Sequence, residues 1–118
     1  MIALQDDVRV YIYPDPVDMR KAISGLSAIV SEDFSEQLCS GDVFVFTNRM
    51  RNKLKILFWD RNGFVLYYKR LEHHRFKIPK KYSGDAFSVS HDQLSWLLAG
   101  LDFILMNDFS HLNYRYYY

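Results

Sequence analysis

The chain has little cysteine: its 118 residues include a single one, Cys39. One cysteine excludes an internal disulfide and a four-cysteine zinc site, and it fits a reducing compartment. A long apolar run is also missing, because residues 96–106 are interrupted by Asp102 and fall far short of the roughly 20 residues of a membrane span. Asp6 and Asp7 lie where a signal peptide would be cationic. We therefore expect a cytoplasmic protein without membrane association.

The composition is that of a folded globular chain. Hydrophobic residues make up 49% and charged residues 25%, which is close to the average for such proteins, and the length suits one domain. Aromatic residues reach 17%, which is high. Because Tyr and Phe fill cores as well as interfaces, this excess leaves a homo-oligomer open.

Positive charge is concentrated in one third of the chain. Residues 48–81 hold eleven Lys and Arg against two acidic residues, a net charge of about +9, whereas the remainder holds four basic and twelve acidic residues, about −8. Near-neutrality overall therefore conceals a dipolar molecule. Aromatic residues interleave with these cations, a combination that suits a polyanion because it offers phosphate neutralisation and planes for bases.

Hydrophobic spacing predicts the first half of the fold. Alternation over residues 8–12 predicts a half-buried strand, and an apolar stripe predicts a helix over residues 18–33 with Asp18 as its N-cap. Residues 43–46 are apolar throughout, which is typical of a strand covered on both faces. The polar and cationic residues 47–52 then predict a loop.

A hairpin is the strongest local prediction. Two β-rich segments, residues 54–59 and 64–70, flank Asn62 and Gly63, a pair typical of two-residue hairpin turns. With these two as the turn, Trp59 would face Leu66 and Lys55 would face Arg70. One face would then be partly cationic and the other apolar, forming the core side. The first face would show Lys53, Lys55, Leu57, Trp59, Leu66, Tyr68 and Arg70, and the second Leu54, Ile56, Phe58, Val65, Tyr67 and Lys69.

The end of the chain predicts a second helix. Residues 90–93 match a capping box, which would open a helix running through Leu101. Residues 103–118 are an aromatic tail, docked or frayed. The predicted fold class is α+β: a single domain over residues 1–102, with a mainly antiparallel sheet, a central hairpin and one or two packed helices.

Four ordered stretches resemble a known family: residues 17–26, 42–46, 55–60 and 68–72. They are similar to the small accessory protein of insertion sequence 66 elements, the TnpB or Orf2-like type that is encoded beside the transposase. The resemblance covers roughly residues 4–102. It implies participation in bacterial DNA transposition beside a separate transposase that performs strand transfer, and it implies no mechanism at the level of residues.

The basic segment predicts a DNA-binding sheet face that grips mainly phosphates, because no helix-turn-helix or zinc-finger pattern is present. Two alternatives are an ordinary solvated face, and a protein-interaction module that docks on the transposase or another protein of the element. In the DNA hypothesis, lysines and arginines neutralise phosphates, partly through a flexible loop, while Trp59 and Tyr68 offer stacking surface. The predicted contact residues are Arg49, Arg51, Lys53, Lys55, Trp59, Tyr68, Lys69, Arg70, Arg75 and Lys77.

Arg20 and Lys21 form a candidate second contact. In the predicted helix they would occupy the first turn, where cations oppose the helix dipole. Either they pair with Asp15 or Asp18, or they meet a phosphate or a partner. The sequence leaves both open.

We expect no enzymatic activity, no metal and no cofactor. The acidic residues show no spacing that argues for carboxylates converging on a divalent ion. His73 and His74 are adjacent, and in a strand such neighbours point to opposite faces. Cys39 has no base or cation near it in sequence that would activate a nucleophile.

Overall fold

The computed structural model describes residues 4–5, 7–78 and 85–102. It is a single α+β domain with a five-stranded sheet in the order β4-β3-β2-β1-β5, mostly antiparallel, as predicted. Among the described strands, only β1 and β2 pair in parallel, since the connection between them crosses over through α1. The elements are β1 (Val10–Ile12), α1 (Ile23–Phe34), β2 (Val43–Thr47), β3 (Lys53–Asp60), β4 (Gly63–Arg70), β5 (Phe87–Val89) and α2 (His91–Leu98).

The sheet lies between the two helices. Alternate residues of β2 serve opposite faces: Val43 and Val45 belong to the core beneath α2, while Phe44 and Phe46 belong to the core beneath α1. All of β2 is buried, which confirms the prediction of a strand covered on both sides. Among the described residues, neither helix has the length or the apolar composition that a bilayer crossing requires.

The first helix begins later than predicted. It starts at Ile23 after the N-cap Ala22, which makes no side-chain capping bond. Asp18 is not the cap, because its carboxylate accepts from the backbone N–H of Arg20 at 2.9 Å and forms a local turn. Arg20 and Lys21 therefore precede the helix and do not lie in its first turn.

The hairpin is confirmed, but its predicted register is wrong. Arg61 and Asn62 form the loop, with Arg61 at a φ of 54°, and Asp60 pairs with Gly63. Each residue's partner thus shifts by two positions, so the two faces keep their predicted members. Trp59 meets Phe64 edge to face at 5.0 Å between ring centroids, a favourable cross-strand pair that the predicted turn would have broken.

The second helix opens with the predicted capping box. The Ser90 hydroxyl accepts from the Gln93 N–H at 3.0 Å, and the Gln93 side chain accepts from the Ser90 N–H at 2.8 Å. The helix ends at Leu98, short of the predicted Leu101. The predicted aromatic tail, residues 103–118, lies outside the described residues.

Ser90→Ala is expected to lower the free energy of unfolding by about 1 kcal/mol, since it removes one of the two capping bonds. Urea denaturation followed by circular dichroism measures the change. Ser88→Ala is the matched control, because Ser88 is exposed on β5. Equal effects of the two variants would contradict a stabilising role for the capping box.

Candidate nucleic-acid interface

Four segments of the chain converge on one cationic groove. The segment before α1, the β2–β3 loop, β3 and β4 enclose a cavity of about 650 Å³ at the open end of the hairpin. Its basic lining residues are Arg20, Arg49, Lys53 and Lys55, and its exposed apolar surface comes largely from Met50 and Tyr68. Part of the predicted basic face and half of the candidate second contact therefore form one site.

The loop that carries Arg49 is held by hydrogen bonds, contrary to the flexible loop predicted. The Asn48 side-chain carbonyl accepts from the N–H groups of Asn52 at 3.1 Å and Lys53 at 3.0 Å, while the Asn48 amide donates to the Asn52 side chain at 2.7 Å. Arg49 itself is exposed, and no ion pair among the described residues engages it. The Arg49 guanidinium therefore projects from a loop whose backbone is held in place by hydrogen bonds.

Arg51 turns inward from the same loop. Its guanidinium donates to the Thr47 hydroxyl and, at 2.7 Å, to the carbonyl of Pro14, which is buried. Burial lowers the pKa of Arg51, while the charge of Asp15 opposes that shift. This side chain ties the loop to the end of β1, and the groove lining does not include it.

Lys55 has a double role. Its ammonium donates to the carbonyls of Met19 and Lys21, both at 2.8 Å, and lies 5.5 Å from the centre of the Tyr68 ring. These contacts fix the segment before α1 against the sheet. The ammonium has three donors, so one N–H and the full charge remain available to the groove.

Arg20 is held by an acid. Its guanidinium donates to both carboxylate oxygens of Asp18, the shortest contact being 2.6 Å, yet 91% of the Arg20 side chain stays exposed. Hydrogen bonds from Arg20 lower the pKa of Asp18 to about 2, so the acid is ionised at neutral pH. Of the two pairings that the sequence left open for Arg20, the structure has the one with Asp18. Lys21 is exposed and its side chain lies along Gly25.

The hairpin places one more cation, Arg70, beside the groove, directly across the strands from the groove residue Lys53. Arg70 bonds Glu72 at 3.0 Å. Lys53 has no acidic partner among the described residues. Two like charges directly opposite each other destabilise a strand pair, so this end of the hairpin favours an anionic ligand that would relieve the repulsion.

Other predicted contact residues lie elsewhere. Lys69 lies on the α2 side of the sheet, in agreement with the face that the alternation of side chains along the strand predicted. Its ammonium donates to the Leu98 carbonyl at 2.7 Å, close to the end of α2. Trp59 lies six residues beyond Lys53 along β3, about 20 Å away at the turn end. Arg75 and Lys77 are exposed and flank the buried Phe76, whose N–H bonds the Arg51 carbonyl at 2.7 Å.

The composition of the groove shows what the sequence did not reveal. Met50 and Asp18 line the groove and were not predicted as site residues. No signal short of the tertiary fold places Arg20 beside Lys53, because the two belong to segments more than thirty residues apart.

In the described part of the chain, no three His, Cys, Asp or Glu side chains meet in a way that could hold a metal ion.

Comparison with known proteins identifies relatives. The family model described as "IS66 Orf2 like protein" matches residues 8–107. Two similar proteins are the uncharacterized proteins y4jC and y4hO of Sinorhizobium fredii (strain NBRC 101917 / NGR234). The first is 34% identical over 102 residues, which is 86% of each chain. The second is 36% identical over 102 residues, which is 86% of this chain and 88% of the relative. No solved structure matches the chain.

Proposed function

This chain belongs to the IS66 Orf2-like family of transposition-associated accessory proteins, and on that premise we propose that it is a non-catalytic DNA-binding protein. The cationic groove is the proposed contact surface, and phosphates are the groups it holds. The transposase of the same element is the proposed partner that performs the chemistry.

The observation that carries this proposal is the convergence of cations from separate segments on one concave surface. Arg49 and Lys53 have no acidic partner among the described residues, and Arg20 is exposed beside them. Such a surface focuses positive potential, which raises the rate and strength of polyanion binding. A sheet face that was merely solvated would not need three segments to bring their cations together.

Tyr68 adds a second element to the groove. Tyr68 is 49% exposed and has the Lys55 ammonium near its ring, so its remaining surface is available for a base or sugar. The groove is lined by a loop, strands and a turn rather than by a projecting helix. Recognition of the backbone and its shape is therefore favoured over reading of base edges in the major groove.

Fluorescence anisotropy of labelled DNA tests the proposal directly. Duplexes with end sequences of the element, random duplexes and single strands are compared at low and moderate salt. If Arg20, Arg49, Lys53 and Arg70 each engage one phosphate, log affinity should fall with log salt at a slope of about −3.6 for duplex DNA. Between 50 and 200 mM salt the loss is then roughly 100-fold.

Charge reversal locates the contact. Arg49→Glu and Lys53→Glu should each weaken DNA binding at least about tenfold at low salt, since each replaces an attraction by a repulsion. Arg61→Glu makes the same change of net charge at the exposed hairpin turn, at the far end of β3, and should weaken binding less than about threefold.

Two outcomes would remove the proposal. Equal losses in all three variants would show that overall charge, and not the groove, attracts DNA. If the wild-type protein bound no DNA while groove variants lost co-purification with the transposase, the groove would be a docking surface for an acidic protein.

Asp18→Asn should strengthen DNA binding several-fold at low salt. The asparagine oxygen can still accept from the Arg20 N–H, so the local turn is kept, while the guanidinium loses its counter-charge. Anisotropy at matched ionic strength measures the gain. Glu72→Gln is a second release variant, since Glu72 pairs with Arg70 at 2.9 Å. Unchanged affinity in both would argue against phosphate contacts by these arginines.

A further inference from the structure

The cationic groove also exposes apolar surface, which phosphate binding does not require. Met50 is 60% exposed and Tyr68 is 49% exposed, and both side chains line the groove. Exposed apolar side chains that lie together on a protein surface mark a contact site, whereas scattered ones need no explanation. Three half-buried apolar residues of the groove extend this surface: Val17, Met19 and Leu66.

The apolar side chains lie among the cations of the groove. The Lys55 ammonium is 5.5 Å from the centre of the Tyr68 ring, and Met50 directly follows Arg49 in the loop between β2 and β3. Phosphate groups are charged and gain nothing from apolar contact, whereas the flat faces of nucleotide bases stack on such side chains. The groove therefore offers contacts to two chemically different parts of one polymer.

A double helix does not present the second of these parts. Its bases are stacked on one another, so a protein reaches only their edges, the sugars and the phosphates. An unpaired strand exposes the faces of its bases, and these stack on aromatic side chains with little dependence on sequence. The combination of cations and exposed apolar surface thus suits a single strand better than a duplex.

We propose that the groove binds single-stranded DNA in preference to duplex DNA. A base packs against Tyr68 and Met50, and the neighbouring phosphates are held by the lysines and arginines of the groove. The tyrosine ring is the stacking surface, and the flexible thioether of Met50 adapts to bases of different shape. The inference rests on the proposed function for the choice of DNA as the ligand, and it narrows that ligand to unpaired strands.

Three labelled ligands of equal length separate the contributions of bases and phosphates. They are an oligothymidine strand, a strand in which stable abasic units replace every thymidine, and a duplex of mixed sequence. The affinity of the full chain for each is measured by fluorescence anisotropy at low salt. The thymidine strand should bind at least about tenfold more tightly than the abasic strand, because the two carry the same phosphates and only one carries bases.

The duplex is the sharper comparison, because its charge density is higher and a site that held phosphates alone would favour it. The thymidine strand should nevertheless bind more tightly than the duplex. With four phosphates engaged, the log affinity of the thymidine strand should fall with log salt at a slope of about −2.8, less steeply than expected for a duplex.

Variants identify the stacking surface. Tyr68→Ala should weaken binding of the thymidine strand about tenfold, Met50→Ala should weaken it several-fold, and Tyr68→Phe, which keeps the ring, should retain most of the affinity. Val65→Ala is the matched control, since Val65 is an exposed apolar residue of the same strand that does not line the groove, and it should leave the affinity unchanged. Lys53→Glu should weaken the thymidine and abasic strands alike, because it acts on phosphates.

Three results would overturn the inference. Equal affinities for the thymidine and abasic strands would show that no base is contacted. Tighter binding of the duplex than of the thymidine strand would remove the preference for single strands and leave the proposed DNA binding intact. Equal losses in Tyr68→Ala and Val65→Ala would show that the groove is not where the base lies. Failure of the proposed function itself is distinguishable, because none of the three ligands would then bind.

Discussion

Leu57→Ala is expected to lower the free energy of unfolding by about 3 kcal/mol, within the range of 2–5 kcal/mol found for buried Leu→Ala changes. Leu57 is completely buried and belongs to the core beneath α1, together with Leu26 and Val30. Truncation removes apolar contacts and leaves a cavity that a sheet pinned by five strands cannot readily close. Since small domains are stable by only about 5–15 kcal/mol, this is a large fraction of the total.

Chemical denaturation of Leu57→Ala and Val65→Ala provides the measurement and its control. Val65 is 37% exposed on β4, an edge strand, so its truncation should cost less than about 1 kcal/mol. A loss for Leu57→Ala no greater than that for Val65→Ala would mean that α1 does not cover this part of the sheet.

The position of Leu57 shows how much of the hairpin's two faces could be predicted from the sequence. Strand parity correctly separated Leu57 from Ile56, because successive side chains point to opposite faces whatever the register. It did not reveal that α1 covers the first face at Leu57 while the end near Lys53 stays open. Coverage depends on where the helix crosses the sheet, which is a property of the whole β1-α1-β2 unit.

Features fixed by local chemistry were the easiest to predict. The capping box of α2 needs only the Ser90 and Gln93 side chains and the backbone between them, so the sequence predicted it completely. The predicted start of α1 was wrong because the Asp18 carboxylate can either cap a helix or accept from the Arg20 N–H in a local turn. The predicted hairpin register was wrong because the turn consists of Arg61 and Asn62, which lets Trp59 pack against Phe64, and not of Asn62 and Gly63 as their local preference indicated.

The site was harder to predict because its lysines and arginines are chemically equivalent in sequence. Their roles depend on hydrogen-bond acceptors that are distant in the sequence. The Lys55 ammonium donates to backbone carbonyls 34 and 36 residues away, and the Lys69 ammonium donates to one 29 residues away. Charge counting locates the basic segment in the sequence, but only tertiary contacts separate the cations that face the groove from those that bond to the backbone of the fold.

Arg51→Met should destabilise the fold by about 2–3 kcal/mol, the loss expected when hydrogen bonds to a charged group are removed and buried acceptors are left unpaired. The acceptors are the Thr47 hydroxyl and the Pro14 carbonyl, both in buried residues. Methionine keeps much of the length and apolar packing of the side chain, so lost volume contributes little. Thermal or urea unfolding measures the effect.

Arg49→Met is the matched variant, two residues earlier in the same loop and exposed. Its stability should change by less than about 0.5 kcal/mol, while its affinity for DNA should fall because a groove cation is lost. Arg51→Met should show the reverse pattern, with DNA affinity close to that of the wild type at a temperature where the variant is folded. If Arg51→Met lost DNA affinity without losing stability, Arg51 would be a phosphate contact, and the division between anchoring and binding arginines in this loop would be wrong.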